Sequence, residues 1–315
     1  MDGRKAVIVG SGFVGSATTF ALMESGLFSE MVLIDVNFEK AIGEAMDISH
    51  GIPFGIPVNI NAGSYSDTGD ADIVIITAGF NQKENETRLQ LVNRNAEIVK
   101  KIVESIMQYG FDGIFLVVSN PVDILTYVVR MVSGFDWRRV IGSGTVLDTA
   151  RLKALLGKKL AVDSRSVHAF IIGEHGDSEF AVWSSANVSG IPLNKFYDMR
   201  GLYNHNENSD EVESAVRESA YEIIKRKSAT YYGIAMAVKR ICQAIMRDEK
   251  AILPVSVTMH GEYGINDVVF SMPCIVGQSG IESVLNIELD EEELDDLTAS
   301  ATKLKELISG LELLQ

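Results

Sequence analysis

The sequence feature that most constrains the fold is a glycine-rich segment that joins a short apolar run to a helix-like stretch. Residues 6–9 are apolar, and the sequence G-S-G-F-V-G follows at once as residues 10–15. In this spacing the first glycine allows a tight turn, the second lets a pyrophosphate approach the main chain, and the third lets the helix pack on the strand. The free N–H groups at the helix start then face the phosphates. This segment predicts a site for a dinucleotide.

A second apolar run supplies an acidic residue at the position that such a site needs. Residues 31–34 are apolar and are followed by Asp35, 20 residues after Gly15. A carboxylate here binds the ribose hydroxyls and repels an added 2′-phosphate. Either feature alone also fits an ordinary turn or strand end. Together, in register, they predict an NAD-binding domain in which NAD is preferred to NADP.

The first half of the chain alternates short apolar runs with longer helix-like stretches. The runs are continuous rather than alternating, which indicates parallel strands buried on both faces. The predicted strands are residues 6–9, 31–34, 73–77, 114–118 and 140–142, and the predicted helices are 14–25, 37–48 and 89–109. This half therefore predicts an α/β fold with a doubly wound parallel (Rossmann) sheet.

The second half has a different pattern. It predicts a helix at 145–156, a strand at 167–172, one long helix at 214–246, two antiparallel strands at 255–259 and 267–274, and a C-terminal amphipathic helix that begins in a solvated acidic run, 290–296. We therefore expect an α+β substrate-binding and catalytic domain after the NAD domain. The boundary is placed near Ser143, which gives domains 1–143 and 144–315.

Composition and charge exclude several classes of partner. The formal net charge of the 315 residues is −15, which argues against nucleic acid and against an anionic membrane surface. The apolar run near the N-terminus is too short for a signal peptide, and no uncharged run could span a membrane, so a cytoplasmic protein is expected. Cys242 and Cys274 are far apart, which predicts two reduced, partly buried thiols and no metal site.

Three polar segments stand where an ordinary core would be apolar. Residues 81–88 follow a predicted parallel strand at its carboxyl end, where ligands bind in such sheets. Asp148 and Arg151 share one face of a predicted helix, and His175 lies in the polar stretch 173–177 after another strand. Each segment alone also has an ordinary explanation: a surface ion pair for Asp148 and Arg151, a loop histidine without a role for His175, and a solvated helix start for Arg88. Taken together, they supply the parts that one reaction needs.

Five motifs, in order over nearly the whole chain, resemble those of the L-lactate and malate dehydrogenases. They are residues 10–15, the sequence T-A-G at 77–79, N-P-V-D at 120–123, and the segments 147–151 and 172–177. The chain lacks the N-terminal arm of the animal enzymes, so the resemblance is to the bacterial type. It implies an NAD-dependent oxidoreductase that interconverts a small 2-hydroxy acid and its 2-keto acid.

The resemblance assigns a role to each polar group. His175 would be the acid that protonates the carbonyl, and the base in reverse, while Asp148 fixes its tautomer. Arg151 would grip the substrate carboxylate at two points, and Arg88 would polarise the carbonyl from a mobile loop. The contacts to NAD would come from Gly10, Gly12, Phe13, Val14, Gly15, Asp35, Gly79 and Asn120, of which Asn120 would also contact the substrate.

Substrate choice rests on Gln82 and Thr230. In this family an arginine at the position of Gln82 pairs with the second carboxylate of oxaloacetate, whereas a glutamine faces the methyl group of pyruvate. Malate at Gln82 would leave a charge without a partner in a closed site. Thr230 matches the other wall of the pocket. The resemblance therefore favours pyruvate and (S)-lactate, as in glycolysis and fermentation, with malate or another L-2-hydroxy acid as the alternative.

The resemblance also bears on assembly and regulation. Many bacterial relatives are activated by fructose 1,6-bisphosphate, which an arginine and a histidine bind between subunits, and the resemblance implies a homotetramer. Here His168 matches the histidine and Lys153 replaces the arginine; an ordinary interface role is the alternative.

Two other classes share the predicted fold. The NAD-dependent glycosidases place a cysteine metal ligand before the Asn-x-Pro motif, where this chain has Ser119. A redox sensor that only binds NAD would not need the histidine, aspartate and arginines together. Both classes are disfavoured.

Overall fold

The computed structural model describes residues 3–80 and 87–312, without the side chain of Arg88. Six strands of the first half pair in parallel in the order β3-β2-β1-β4-β5-β6. They are β1 (Lys5–Val9), β2 (Glu30–Ile34), β3 (Asn59–Ala62), β4 (Ile73–Ile76), β5 (Ile114–Val117) and β6 (Val140–Gly142). This is the strand order of a doubly wound dinucleotide-binding sheet, so the predicted fold class is confirmed.

Helices cover both faces of this sheet, and the strands β1, β4 and β5 are buried along their whole length. The helices are α1 (Phe13–Met23), α2 (Phe38–Ser49), α3 (Arg88–Met107) and α4 (Val122–Ser133). Neither β3 nor α4 was predicted from the sequence. β3 is a strand at the edge of the sheet with one buried residue, Ile60, so it has no apolar run to reveal it.

The second half adds antiparallel strands and helices to the same sheet. Its strands are β7 (Val167–His168), β8 (Ile171–Gly173), β9 (Glu179–Ala181), β10 (Asn187–Val188), β11 (Ile191–Pro192), β12 (Ala251–His260), β13 (Asn266–Gly277) and β14 (Gly280–Val284). Its helices are α5 (Val146–Leu160), α6 (Leu193–Met199), α7 (His205–Lys227), α8 (Tyr232–Met246) and α9 (Glu291–Ser309). β12 pairs with β6, which makes the sheet continuous across the middle of the chain.

Two predicted elements are wrong. The long helix predicted at 214–246 is two helices, because α7 ends at Lys227 and the next residue, Ser228, caps it with a left-handed φ of 68°. The strand predicted at 167–172 is also two elements: Val167 pairs with β10 in a small three-stranded sheet, whereas Ile171 pairs with β9 in the large sheet.

The acidic run before the C-terminus does begin a helix, as predicted. Asp290 caps α9 by accepting a hydrogen bond from the main-chain N of Glu293 (2.9 Å). The run is not wholly solvated, however: the buried Glu293 carboxylate accepts hydrogen bonds from the main chain (2.9 Å) and the hydroxyl (2.6 Å) of Ser184.

Both cysteines are free and buried, and burial raises the pKa of Cys242 to about 12. Within the described residues, no helix is long and apolar enough to cross a membrane.

Candidate active site

The glycine-rich segment forms a cradle at the carboxyl end of β1. A Cβ atom at Gly10, whose φ is +107°, would lie 2.7 Å from the main-chain N of Ala78, and a Cβ at Gly15 would lie 1.9 Å from the carbonyl oxygen of Gly10. A Cβ at Gly12 would meet no protein atom within 4 Å. Packing of the protein itself therefore requires Gly10 and Gly15, whereas Gly12 faces space that a bound group would occupy. This is the fit expected of a dinucleotide cradle.

Asp35 closes the same cradle at the end of β2. Its carboxylate accepts hydrogen bonds from the main-chain N atoms of Ser11 (2.7 Å) and Asn37 (2.9 Å). A cavity of about 460 Å³ lies beside it and is lined by Gly10, Gly12, Asp35, Lys40, Tyr65, Gly79 and Phe80, among others. Of the predicted cofactor residues, four therefore share this cavity: Gly10, Gly12, Asp35 and Gly79.

Phe13 and Val14 begin α1 and are not among the described residues lining that cavity. The Phe13 side chain is exposed and stacks on Tyr231, with 5.2 Å between ring centroids.

His175 lies in the turn between β8 and β9, at the junction of the two halves of the chain. Its Nδ1 atom is 2.7 Å from Oδ2 of Asp148, which is buried in the first turn of α5. Nη1 of Arg151 donates a 2.6 Å hydrogen bond to the other oxygen of the same carboxylate. The spacing of Asp148 and Arg151 on one helix face thus brings both cations to one carboxylate.

The charges of this group determine its protonation. Burial disfavours the imidazolium form of His175, but the charge of Asp148 and its hydrogen bond outweigh burial and raise the pKa of His175 well above its ordinary range. Burial would raise the pKa of Asp148, yet His175 and then Arg151 hold it below its ordinary value. The pair is therefore an ion pair in which Nδ1 faces the carboxylate and Nε2 remains for a substrate.

A second cavity, of about 420 Å³, opens onto His175. Its lining has a polar side and an apolar side. The polar side comprises Asn120, Asp148, Arg151, His175, Asp177, Glu179, Arg217 and Tyr221. The apolar side comprises Leu91 and Val92 of α3 and Val216, Ala220 and Ile224 of α7. The structure thus brings four of the predicted site residues, Asn120, Asp148, Arg151 and His175, together around one cavity.

The other predicted site residues either lie away from this cavity or are outside the residues that the structure describes. Gln82 and the side chain of Arg88 are outside the described residues. Thr230 lies in the turn between α7 and α8 and is not among the described residues that line the cavity. Lys153 is half-buried on α5, and His168 is exposed on β7, a strand that packs against α5.

Asp123 was missed by the sequence analysis as a functional residue. It is buried in the first turn of α4, and its Oδ2 accepts a 2.8 Å hydrogen bond from the main-chain N of His175. Its Oδ1 accepts one from Ser256 Oγ at 2.6 Å, and burial raises the pKa of Asp123 to about 7. The sequence signal was its place in the N-P-V-D motif at 120–123, of which only Asn120 was assigned a role.

Asn95 was missed as well. Its fully buried amide accepts a hydrogen bond from the main-chain N of Phe80 (2.9 Å) and donates to the carbonyl oxygens of Phe80 and Asn120 (3.0 Å each). It therefore joins the chain that leaves β4 to the chain that leaves β5. The signal was an asparagine within the apolar stripe of α3.

Asp148, His175 and Glu179 also have possible metal-ligand atoms within 4.8 Å of one another. The short contact between Nδ1 of His175 and Asp148 is better explained by a proton, because that nitrogen faces the carboxylate rather than an open position.

Comparisons with known proteins agree with this geometry. Residues 4–142 match the model of the lactate/malate dehydrogenase NAD-binding domain, and residues 145–312 match that of the family's α/β C-terminal domain. The chain is 53% identical over 310 residues to an L-lactate dehydrogenase of Acetivibrio thermocellus, covering 98% of each chain. It is 52% identical to an L-lactate dehydrogenase of Clostridium botulinum, covering 97% of this chain and 96% of the relative.

Among solved structures, the chain is similar to the ligand-bound minor L-lactate dehydrogenase of Enterococcus mundtii, with a TM-score of 0.96, 46% identity and 99% of each chain covered. Both halves of the chain, and the cradle and histidine site that they carry, thus match one family throughout. The chain belongs to the lactate/malate dehydrogenase family and is an NAD-dependent oxidoreductase.

Proposed function

We propose that the protein catalyses reversible hydride transfer between NADH and pyruvate, which gives (S)-lactate and NAD⁺. The observation that carries this proposal is the hydrogen-bonded group of His175, Asp148 and Arg151 at a cavity with one apolar side. The two relatives reported above, both named L-lactate dehydrogenase and identical to this chain at about half of the aligned positions, support the same substrate.

The residues present account for the chemistry. Bound NADH supplies the hydride that forms the new C–H bond at the carbonyl carbon. The His175 imidazolium gives its Nε2 proton to the carbonyl oxygen, so the C=O bond becomes CH–OH and a neutral imidazole remains. The Nδ1 proton stays on the side of Asp148, which keeps Nε2 free to recover the proton in the reverse direction. Arg151, already fixed by Asp148, grips the substrate carboxylate.

The cavity favours a substrate with a small apolar group. Val216, Ala220 and Ile224 form an apolar wall from α7, where a methyl group can be buried at no cost. Arg217, on the same helix, is partly exposed and lies 3.4 Å from Glu213, which weakens it as a partner for a second carboxylate. Oxaloacetate or another 2-keto acid remains the second candidate, since Gln82 lies outside the described residues.

Oxidation of NADH with a panel of 2-keto acids tests the substrate. Pyruvate should give the highest kcat/KM in the wild-type enzyme, and Gln82→Arg should move activity toward oxaloacetate. Equal turnover of oxaloacetate and pyruvate by the wild type would reject the assignment of lactate. A Gln82→Arg variant with an unchanged substrate profile would reject the role given to Gln82.

We also propose that fructose 1,6-bisphosphate binds at Lys153 and His168. Both residues lie on packed elements, α5 and β7, and burial lowers the pKa of Lys153. The same α5 carries Asp148 and Arg151, so an effector there has a route to the site. The bisphosphate should lower the KM for pyruvate; superimposable saturation curves with and without it at several pH values would contradict this.

We also propose that the protein is a homotetramer located in the cytoplasm. Large apolar side chains are exposed on the single chain, including Phe20, Phe54, Tyr232 and Met236, which is typical of surfaces that become buried on association. Sedimentation velocity should give about four times the 34.4 kDa mass of the chain. A monomer at assay concentrations would contradict the assembly.

A further inference from the structure

Two buried carboxylates face the Nδ1 atom of His175. Oδ2 of Asp148 lies 2.7 Å away, and Oε2 of Glu179 lies 3.6 Å away. Glu179 is the first residue of β9, four positions after His175, so the turn that presents the imidazole also presents this carboxylate. The same oxygen accepts a long, 3.4 Å hydrogen bond from the main-chain N of Gly176. A carboxylate that is only 5% exposed keeps its negative charge only where a positive charge lies close by, and the described cation that faces it is the His175 imidazolium.

Asp148 orients the imidazole ring, because its oxygen is closer to Nδ1 (2.7 Å) than that of Glu179 (3.6 Å). Asp148 is also bound by Arg151 through its other oxygen, at 2.6 Å, so one positive and one negative charge largely cancel there. The imidazolium of His175 then remains as a buried positive charge, and Glu179 is the second anion beside it. The two pairs together sum to zero charge, which is the arrangement that a closed site tolerates best.

We propose that Glu179 is a positioning residue whose negative charge sets the pH range over which His175 keeps its proton. This inference rests on the proposed function, in which His175 gives and recovers that proton. Asp148 would hold the ring with Nδ1 facing its carboxylate, and the charge of Glu179 would stabilise the protonated form of His175. An opposite charge at this distance changes the proton affinity of a group by about 1 pH unit or more.

Other charged and titratable groups surround His175 and set the background. They are Asp177 in its own turn, Asp123 from α4, Asp148 and Arg151 from α5, Arg217 and Tyr221 from α7, and Glu174 with its partner Lys303 of α9 (2.9 Å). Burial raises the pKa of Glu179, and the hydrogen bond to His175 opposes that rise. The negative charge of Glu179 is therefore stabilised by the imidazolium of His175, and the imidazolium is stabilised by Glu179.

Glu179→Gln tests the proposal, because it keeps the size of the side chain and the acceptor for Gly176 while it removes the charge. The pKa of His175 should fall, so pyruvate reduction should lose activity at a pH about one unit lower than in the wild type. Lactate oxidation, which needs the neutral imidazole, should gain activity at a pH lower by the same amount. If Glu179 had a purely structural role, the substitution would change the rates without shifting the pH profile of pyruvate reduction or that of lactate oxidation.

A second measurement is independent of turnover. The rate at which diethyl pyrocarbonate modifies His175, followed by mass spectrometry against pH with no substrate or cofactor present, reports the pKa of its imidazole. Glu179→Gln should move this titration to lower pH by the same amount, whereas Glu179→Asp, which keeps the charge, should largely restore it. Glu211→Gln, which removes one exposed carboxylate paired with Lys159, should leave it in place.

The outcomes separate the two proposals. An unshifted His175 titration in Glu179→Gln would overturn the role of Glu179, even with normal turnover of pyruvate. A shifted titration in a protein that does not reduce pyruvate would support Glu179 and reject the proposed substrate. A Glu179→Asp variant that behaves like Glu179→Gln would also overturn the proposal, because position rather than charge would then be the cause.

Discussion

Oδ2 of Asp148 lies 2.7 Å from Nδ1 of His175, although one residue is in the first turn of α5 and the other follows β8, 27 positions later. The contact makes the imidazole both an oriented group and a charged one. It gives the proposed acid a fixed Nδ1 proton and a raised pKa, which are separate contributions to catalysis.

Asp148→Asn should remove both contributions. The amide can donate to Nδ1 and so favour the wrong tautomer, and the loss of charge lowers the pKa of His175. We expect kcat to fall by roughly 10²–10⁴-fold, as for other positioned acid–base groups, and the activity that remains should decline at lower pH. Steady-state rates across pH measure this. The Kd for NADH is the control and should stay near that of the wild type; a full wild-type rate would contradict the assigned role.

Gly12→Ala and Gly15→Ala form a matched pair that separates cofactor binding from folding. The new methyl group at Gly12 meets no protein atom within 4 Å, so the protein without cofactor should keep its melting temperature while the Kd for NADH rises about tenfold or more. The methyl group at Gly15 would lie 1.9 Å from the carbonyl oxygen of Gly10, so this variant should unfold at a lower temperature. Thermal unfolding and NADH fluorescence titration distinguish them. Equal NADH affinity of Gly12→Ala and wild type would place the pyrophosphate elsewhere.

The parallel half of the fold was predictable because its strands are buried on both faces and therefore appear as uninterrupted apolar runs. The edge strand β3 lacks that signal, since only Ile60 of its four residues is buried. The break between α7 and α8 could not be predicted either. It depends on Ser228 adopting a left-handed conformation, which is a choice of backbone that apolar spacing does not encode.

The candidate site divides in the same way. His175, Asp148 and Arg151 were predictable because their residue types match one reaction and their motifs resemble one family. Asp123 and Glu179 were not, since each acquires its role only when folding places a buried carboxylate beside His175. Such roles arise from contacts between distant elements, and a single sequence carries little trace of them.

Asp123→Asn should change how stability depends on pH. The pKa of about 7 in the folded protein is above the ordinary value of 3.8, so between these limits the folded state holds a proton that the unfolded state has lost. The stability contributed by Asp123 is therefore full at acid pH and is lost as pH rises toward 7, on the order of 1–3 kcal/mol between pH 5 and pH 8. Asparagine should remove this component of the slope.

Urea unfolding of wild type and Asp123→Asn at several pH values measures that difference. The variant should be least stable relative to wild type at pH 5 and should approach it by pH 8. Asp47→Asn, at an exposed position, serves as the matched control. Parallel stability curves for wild type and Asp123→Asn would contradict the raised pKa.

Asn95→Leu should show how much Asn95, which joins the segment after β4 to the segment after β5, contributes to stability and to substrate binding. Leucine has nearly the same size but leaves the main-chain N and O of Phe80 and the carbonyl of Asn120 without their buried amide partner. Because each unsatisfied buried group costs about 1–3 kcal/mol and three groups lose their partner, we expect the free energy of unfolding to fall by about 3 kcal/mol or more. The KM for pyruvate should also rise, since Asn120 lines the substrate cavity.

Asn93→Leu is the matched control on the same helix, because the half-buried Asn93 accepts a 3.1 Å hydrogen bond from the main-chain N of Glu312 near the C-terminus. The loss of this hydrogen bond should lower the free energy of unfolding by about 0.5–1.5 kcal/mol, the usual net value of one such bond, and should leave the KM for pyruvate unchanged. If Asn95→Leu were no more destabilising than Asn93→Leu, the three bonds of Asn95 would be replaceable by solvent. If it were destabilising with an unchanged KM, Asn95 would serve the fold alone, and the position of Asn120 would be set by other contacts.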